Sequence, residues 1–155
     1  MNANNMKVPN IILSIIFIGM ISCSLNKNET TPMSQASTVE FEEVNHVNVK
    51  LIDSEYQILK SQAEINSIYK VINQNNPLPR KNPIPSYDEN ESYIVIQPKI
   101  EKSDFSVSRI LQTGQKLNID IETFDNPEFK KKNNPASIIK INKSNSFEQL
   151  EIKTT

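Results

Sequence analysis

Apolar and polar residues alternate with a period of two along most of the chain from residue 38 onward. This period is typical of strands with one face buried and one face in solvent. The cleanest example is 117–121, where three aliphatic residues alternate with polar ones. At 105–109, Phe105, Val107 and Arg109 are predicted to share one face. The other predicted strands are 38–44, 47–51, 56–59, 93–97, 138–141 and 147–152.

The periodicity changes to that of a helix only once, at 62–74. Ser61 and Glu64 form a capping-box pattern, in which the hydroxyl accepts from the Glu64 amide and the carboxylate reaches back to Ser61. The helix should end before Pro77, because proline cannot continue it. Apolar residues follow the cap at helical spacing: Ile65, Ile68, Tyr69 and Ile72.

The order of these elements indicates the fold class. Strands, one helix and then consecutive strands with short turns predict a mainly β (α+β) domain, an antiparallel sandwich or open barrel with one helix packed on it. His46, the one histidine of the chain, falls between the predicted strands 38–44 and 47–51. It is therefore expected to be a turn residue that needs no function.

The N-terminal residues have a different pattern. Lys7 precedes an apolar run over 8–21, which is shorter than the roughly 20 residues of a membrane span and typical of a signal peptide. The run stops at Ser22 and Cys23, and polar residues follow at once. One interpretation is a cleaved signal, and the other is an uncleaved N-terminal anchor in which Cys23 is incidental.

The residues 20–23, Met-Ile-Ser-Cys, resemble the lipobox of bacterial lipoproteins, although Met20 stands where leucine is usual. The resemblance implies cleavage between Ser22 and Cys23 and attachment of a diacylglycerol to the Cys23 thiol. Two or three acyl chains, including palmitate, would anchor the protein to membrane lipid, since one chain binds only marginally. The expected location is the bacterial cell envelope, on the outer membrane.

The predicted organisation therefore has three parts. Residues 1–22 are a lipoprotein signal peptide, and 23–37 are a polar, lipid-anchored flexible tether without periodicity. Residues 38–155 form the β domain. Its length is usual for a single domain with its own core.

The middle and end of the chain resemble a known family. The capped helix at 61–73 precedes a proline-rich stretch at 76–85, an acidic turn at 87–91, the apolar strand 93–96, and the stretch 134–141. This order resembles the C-terminal domain of PrcB, a lipoprotein subunit of a surface protease complex. At 102–107 the chain lacks the glycine-rich stretch typical of that family. The resemblance implies a noncatalytic partner-binding role, in which the partner need not be a protease.

Composition excludes several kinds of site. The chain has 2 glycines, 1 cysteine, 1 histidine and no tryptophan, and its net charge is −1. An intramolecular disulfide, a glycine-rich phosphate loop and a His/Cys zinc site are therefore excluded. Nucleic acid usually requires a concentrated basic face, and none is predicted. No catalytic constellation and no cofactor site are expected.

Two charged stretches have alternative interpretations. Asp88, Glu89 and Glu91 could bind Ca²⁺ through clustered oxygens, or they could form a solvated acidic turn. The three lysines at 130–132 could contact anionic headgroups or lipopolysaccharide, or they could lie in a solvated loop.

The long proline-rich loop at 75–90 is the predicted site for a protein partner. Loops of this length are commonly functional, and its four prolines reduce the entropy lost on binding. Leu78 and Ile84 lie between prolines and could be offered to a partner's groove. Alternatively, both fold back and cover a sheet face.

The leading functional hypothesis is a membrane-tethered binding or assembly subunit. The two rivals are a small envelope hydrolase acting on a polymer and a structural envelope protein without a specific ligand.

Overall fold

The computed structural model describes residues 35–76, 79–129 and 134–155. The predicted signal peptide, most of the tether, Ser22, Cys23, Leu78 and the lysines at 130–132 lie outside the described residues. Within the described part, no helix is long and apolar enough to cross a membrane.

Eight strands and one helix make up the regular structure of the described residues. Ordered pairing starts at Ser37, one residue before the predicted domain boundary. In chain order the elements are β1 (Ser37–Thr38), β2 (Phe41–Asn48), β3 (Tyr56–Leu59), α1 (Gln62–Asn75), β4 (Glu91–Ile96), β5 (Asp104–Thr113), β6 (Lys116–Phe124), β7 (Pro135–Asn142) and β8 (Gln149–Thr154).

The strands form two four-stranded sheets that pack face to face. The first sheet has the order β1-β5-β6-β8, and the second has the order β2-β7-β4-β3. The sheets are not closed into a barrel, and α1 packs on the outer face of the second sheet. The predicted mainly β class with one packed helix is confirmed, and the architecture is the sandwich rather than the open barrel.

The second sheet is buried on both faces. Ile139 and Ile141 of β7 join the core between the two sheets. Ile138, directly before Ile139 in sequence, points the other way and packs with Ile65 and Ile72 of the helix. A strand with two buried faces does not alternate between buried and exposed residues, and β7 is buried at every residue from Pro135 to Ile139 and again at Ile141. The molecule therefore has three layers, with the second sheet in the middle.

The prediction of two separate strands at 38–44 and 47–51 was wrong. One strand, β2, runs from Phe41 through the supposed turn to Asn48. His46 lies inside this strand rather than in a turn. β2 keeps its pairing with β7 across a bulge between Glu43 and Asn45. A bulge adds one residue to a strand and changes which side chains share a face, so the alternation of β2 is broken at the point where the pattern predicted an end.

A second bulge changes the orientation of Arg109. The register of β5 with β6 shifts between Val107 and Arg109, so Ile110 rather than Arg109 takes the next inward position. Arg109 instead bonds the Asp120 carboxylate through two nitrogens, at 2.7 and 3.1 Å. The predicted shared face of Phe105, Val107 and Arg109 therefore stops at the bulge.

The last strand departs from the expected meander. β8 pairs with β6 in parallel, from Lys116 opposite Gln149 to Ile121 opposite Thr154. The other paired strands are antiparallel, as expected. Leu150 and Ile152 face the core between the sheets but are only partly buried, because β8 lies at a sheet edge.

The helix begins and ends where the sequence predicted. The Ser61 hydroxyl accepts from the Glu64 amide at 3.3 Å, which confirms the cap. The Glu64 carboxylate reaches back to the amide of Lys60, at 2.6 Å, rather than to that of Ser61. The last helical residue is Asn75, two positions before Pro77. The four predicted apolar residues are the buried face of the helix.

Candidate functional site

The proline segment, residues 82–87, is held against the helix by two side-chain amides. Asn73 donates to the Asn82 carbonyl at 3.1 Å and accepts from the Asn82 amide at 2.7 Å. Gln62 donates to the Pro85 carbonyl at 3.1 Å and accepts from the Tyr87 amide at 2.7 Å. Each amide therefore makes the paired donor and acceptor bonds that a neighbouring strand would make.

The spacing of these two clamps fixes the shape of the proline segment. Gln62 and Asn73 are eleven residues apart, which corresponds to about 16 Å along a helix. Five residues of extended chain span about the same distance. The segment is therefore extended and runs antiparallel to the helix. Pro83 and Pro85 favour this shape, because the ring holds φ near its extended value.

Ile84 lies between the two clamps and is 48% exposed. Beside it is a cleft of about 270 Å³, lined by Tyr69, Val44 and the segment itself. Burial raises the pKa of the Tyr69 hydroxyl. The backbone of the segment bonds to the helix, and Val44 and Asn45 of β2 line the cleft beside Ile84, so the alternative in which Ile84 partly covers the second sheet stays open. Leu78 is outside the described residues.

A polar cluster, here called the His46 cluster, crosses the space between the two sheets. The Nδ1 atom of His46 is 2.9 Å from Glu43 Oε1, and Nε2 is 2.8 Å from Asp104 Oδ1. The Ser137 hydroxyl donates to the same Glu43 oxygen at 2.7 Å. Asp104 is in the first sheet, whereas the other three residues are in the second. The cluster therefore bonds one sheet to the other.

The bulge in β2 makes this cluster possible. Regular alternation would put Glu43 and His46, three residues apart, on opposite faces of the strand. The extra residue between Glu43 and Asn45 brings both onto the face that meets the first sheet. A strand bulge often redirects a side chain in this way.

The contacts of His46 differ from those of a serine–histidine pair in a hydrolase. Both ring nitrogens of His46 contact carboxylate oxygens, so neither is directed at a hydroxyl or thiol nucleophile. Ser137 is fully buried, and its hydroxyl contacts Glu43 rather than the imidazole. The Ser-His pairing of a hydrolase is therefore not formed at His46.

The cluster also contacts Asn126 and Phe129, which follow β6. The Asn126 side chain donates to the second oxygen of Asp104 at 2.7 Å. The Phe129 ring stacks on the His46 ring, with centroids 5.6 Å apart. Asn48 donates to the Phe129 carbonyl and accepts from the Asn134 amide, so one side chain holds both ends of the stretch 130–133.

Two carboxylates of the acidic turn, those of Asp88 and Glu91, bond groups of this chain. Asp88 Oδ1 accepts from the amide of Asn90 at 2.7 Å, which closes a local turn. Glu91 bonds Lys140, and so does Glu42, each at 3.0 Å. These two carboxylates hold the pKa of Lys140 above its usual range. No group of three His, Cys, Asp or Glu residues in the described ranges could hold a metal ion, so the calcium interpretation has no support in this turn.

The sequence predicted the position of the proline-rich loop, but it did not predict the His46 cluster. Glu43, Asp104 and Ser137 are separated by up to 94 positions, and no local pattern relates them. The one signal of the His46 cluster in the sequence was a lone histidine within a run of strand-forming residues.

Comparison of the chain with protein-family models, with curated proteins and with solved structures gave no match.

Proposed function

We propose that this protein is a bacterial envelope lipoprotein, tethered to the outer membrane by acylated Cys23. Its β domain is a noncatalytic binding or assembly subunit that docks a protein partner. The resemblance to the PrcB C-terminal domain favours such a role and makes a protease complex one candidate partner. The observation that carries the proposal is the presentation of Ile84 on a segment already held in an extended shape.

The energetic argument concerns the cost of ordering a loop. A flexible loop loses conformational entropy when a partner immobilises it, and that loss subtracts from affinity. Here the paired amide bonds of Asn73 and Gln62, together with Pro83 and Pro85, order the segment before binding. An aliphatic side chain presented in this way would gain apolar burial in a partner's groove at about 25 cal/mol per Å².

Replacing Ile84 with serine is expected to weaken partner binding while the stability of the domain changes by no more than about 1 kcal/mol, since the side chain is half exposed. Phe124→Ser is the matched control. Phe124 is 44% exposed, but it ends β6 in the first sheet, which the second sheet separates from the helix.

Photocrosslinking in the native envelope would make the measurement. A benzophenone amino acid at position 84 should give one discrete protein adduct, and the same group at position 124 should not. The captured protein, once identified by mass spectrometry, should then copurify with wild type and the Phe124→Ser variant but not with Ile84→Ser. Equal copurification with all three chains would contradict docking at Ile84.

Replacing Cys23 with serine is expected to abolish lipid attachment, because the serine hydroxyl does not replace the thiol that accepts the diacylglycerol. Metabolic labelling with a clickable palmitate analogue checks this, with Ser24→Ala as a neighbouring control that keeps its label. The unlabelled variant should also retain residues 1–22, which a gel shift and intact mass would show. Equal labelling of the wild type and the Cys23→Ser variant would exclude the lipoprotein assignment.

A further inference from the structure

The edges of the two sheets differ in how well they resist pairing with another strand. An exposed edge carries unpaired backbone groups, and proteins usually protect it with short strands, bulges or charges. In the first sheet β1 has 2 residues, and in the second sheet β3 has 4. β2 is longer but is bulged and carries Glu42 and Glu43. β8 has six residues and pairs with β6 without a register shift.

The free side of β8 presents a regular set of backbone groups. The amides of Gln149 and Thr155 donate to carbonyls of the β6 side. Successive residues of a strand direct their backbone groups to opposite sides, so those of Leu150, Ile152 and Thr154 point away from β6. Among the described residues, no strand pairs with this side of β8.

The backbone groups and the charges of β8 match those of a second β8 strand in one antiparallel register. An antiparallel pair of β8 strands centred on Ile152 places Leu150 opposite Thr154 and Ile152 opposite its own copy. The two free edges together carry six backbone amides and six backbone carbonyls, and each of these groups then has a partner on the other strand. The same register places Glu151 of each strand directly opposite Lys153 of the other. Opposite charges in directly facing pairs stabilise a sheet, whereas like charges destabilise it.

The side chains on the inner face add to this complementarity. Leu150 and Ile152 pack against the core between the sheets but stay partly exposed at the edge. A second β8 strand would cover their exposed parts. Within one chain, Glu151 bonds Lys116 at 2.6 Å and lies 3.5 Å from Lys153. Lys153 of a second copy would add a further positive charge beside the Glu151 carboxylate.

We propose that β8 is a self-association surface at which two copies of this chain pair antiparallel about Ile152, joining their first sheets into one eight-stranded sheet. The interface is isologous, since the same strand serves both copies. It lies in the first sheet, whereas the partner-docking segment is on the helix that packs against the second sheet. The two surfaces can therefore be occupied together.

The test is the molecular mass of the full chain in detergent micelles, measured by sedimentation up to about 0.5 mM to allow for the small interface. The wild type should dimerise. In the Lys153→Glu variant, Glu151 of each strand would lie directly opposite the introduced glutamate of the other strand. This repulsion should weaken the dimer about tenfold. The doubly exchanged chain, Glu151→Lys with Lys153→Glu, restores opposite pairs and should recover it. Lys102→Glu makes the same charge change at the exposed Lys102–Asp125 pair and should leave the dimer unchanged.

The register is checked separately by carbodiimide crosslinking of a mixture of ¹⁴N- and ¹⁵N-labelled chains. A mixed-isotope peptide joining Lys153 to Glu151 would come only from two copies and supports the pairing. A monomer throughout the concentration range would overturn the proposal, and so would a dimer that Lys153→Glu leaves intact. A crosslink from β8 to another envelope protein instead of a second copy would also overturn it. Circular dichroism of each variant shows that the fold is retained.

Discussion

Replacing Ile138 with alanine is expected to lower the free energy of unfolding by about 3 kcal/mol, and replacing Ile139 is expected to cost a similar amount. The two residues are adjacent in β7, and both are fully buried. Ile138 faces the helix, whereas Ile139 faces the first sheet. Equal costs at adjacent positions require that both faces of the second sheet are buried, which is the central claim of the three-layer architecture.

Equilibrium denaturation monitored by circular dichroism checks this expectation. Ile84→Ala is the matched control, because it removes the same atoms from a side chain that is 48% exposed and should cost less than about 1 kcal/mol. If Ile138→Ala were as mild as Ile84→Ala, the helix would not be packed on the second sheet in solution.

Replacing His46 with alanine is expected to destabilise the domain by about 3 kcal/mol. The variant removes hydrogen bonds to two carboxylates, and the Asp104 side chain is only 3% exposed. A carboxylate that loses its partner in such a position keeps its desolvation penalty. Asp104 retains bonds from Asn126 and from the Phe105 amide, which limits the loss.

The control for this variant is an ion pair in solvent. Lys102 and Asp125 are 3.1 Å apart and both more than half exposed, so Lys102→Ala should change stability by less than about 1 kcal/mol. A double-mutant cycle of His46→Ala with Asp104→Ala should show coupling of about 1–3 kcal/mol. Additive effects would mean that His46 does not bond one sheet to the other.

Local sequence was sufficient wherever the local pattern and the tertiary environment agreed. The helix was predictable because its cap, its apolar face and its stop all occur between Ser61 and Pro77. The strand at 117–121 was predictable because one of its faces packs on the core and the other is polar. The proline segment could be located by composition, but the helix amides that hold it could not.

Predictions failed where a strand is irregular or has an unusual environment. The bulge before Asn45 made one strand look like two, and a second bulge before Arg109 moved that residue to the outer face. A bulge depends on the contacts that the extra residue allows across the sheet. An alternation of apolar and polar residues with a period of two does not encode those contacts.

The sequence by itself determined the mainly β class, the single capped helix, the position of the proline loop and the signal-like pattern that ends at Cys23. Each depends on periodicity or spacing over a few residues. Only the tertiary structure decided the parallel pairing of β8 with β6, the two buried faces of β7, and the meeting of His46 with Asp104. The paired residues of β6 and β8 are 33 positions apart, and His46 and Asp104 are 58 positions apart. Such contacts form because the three layers bury their apolar faces together, and no single segment of the chain carries that information.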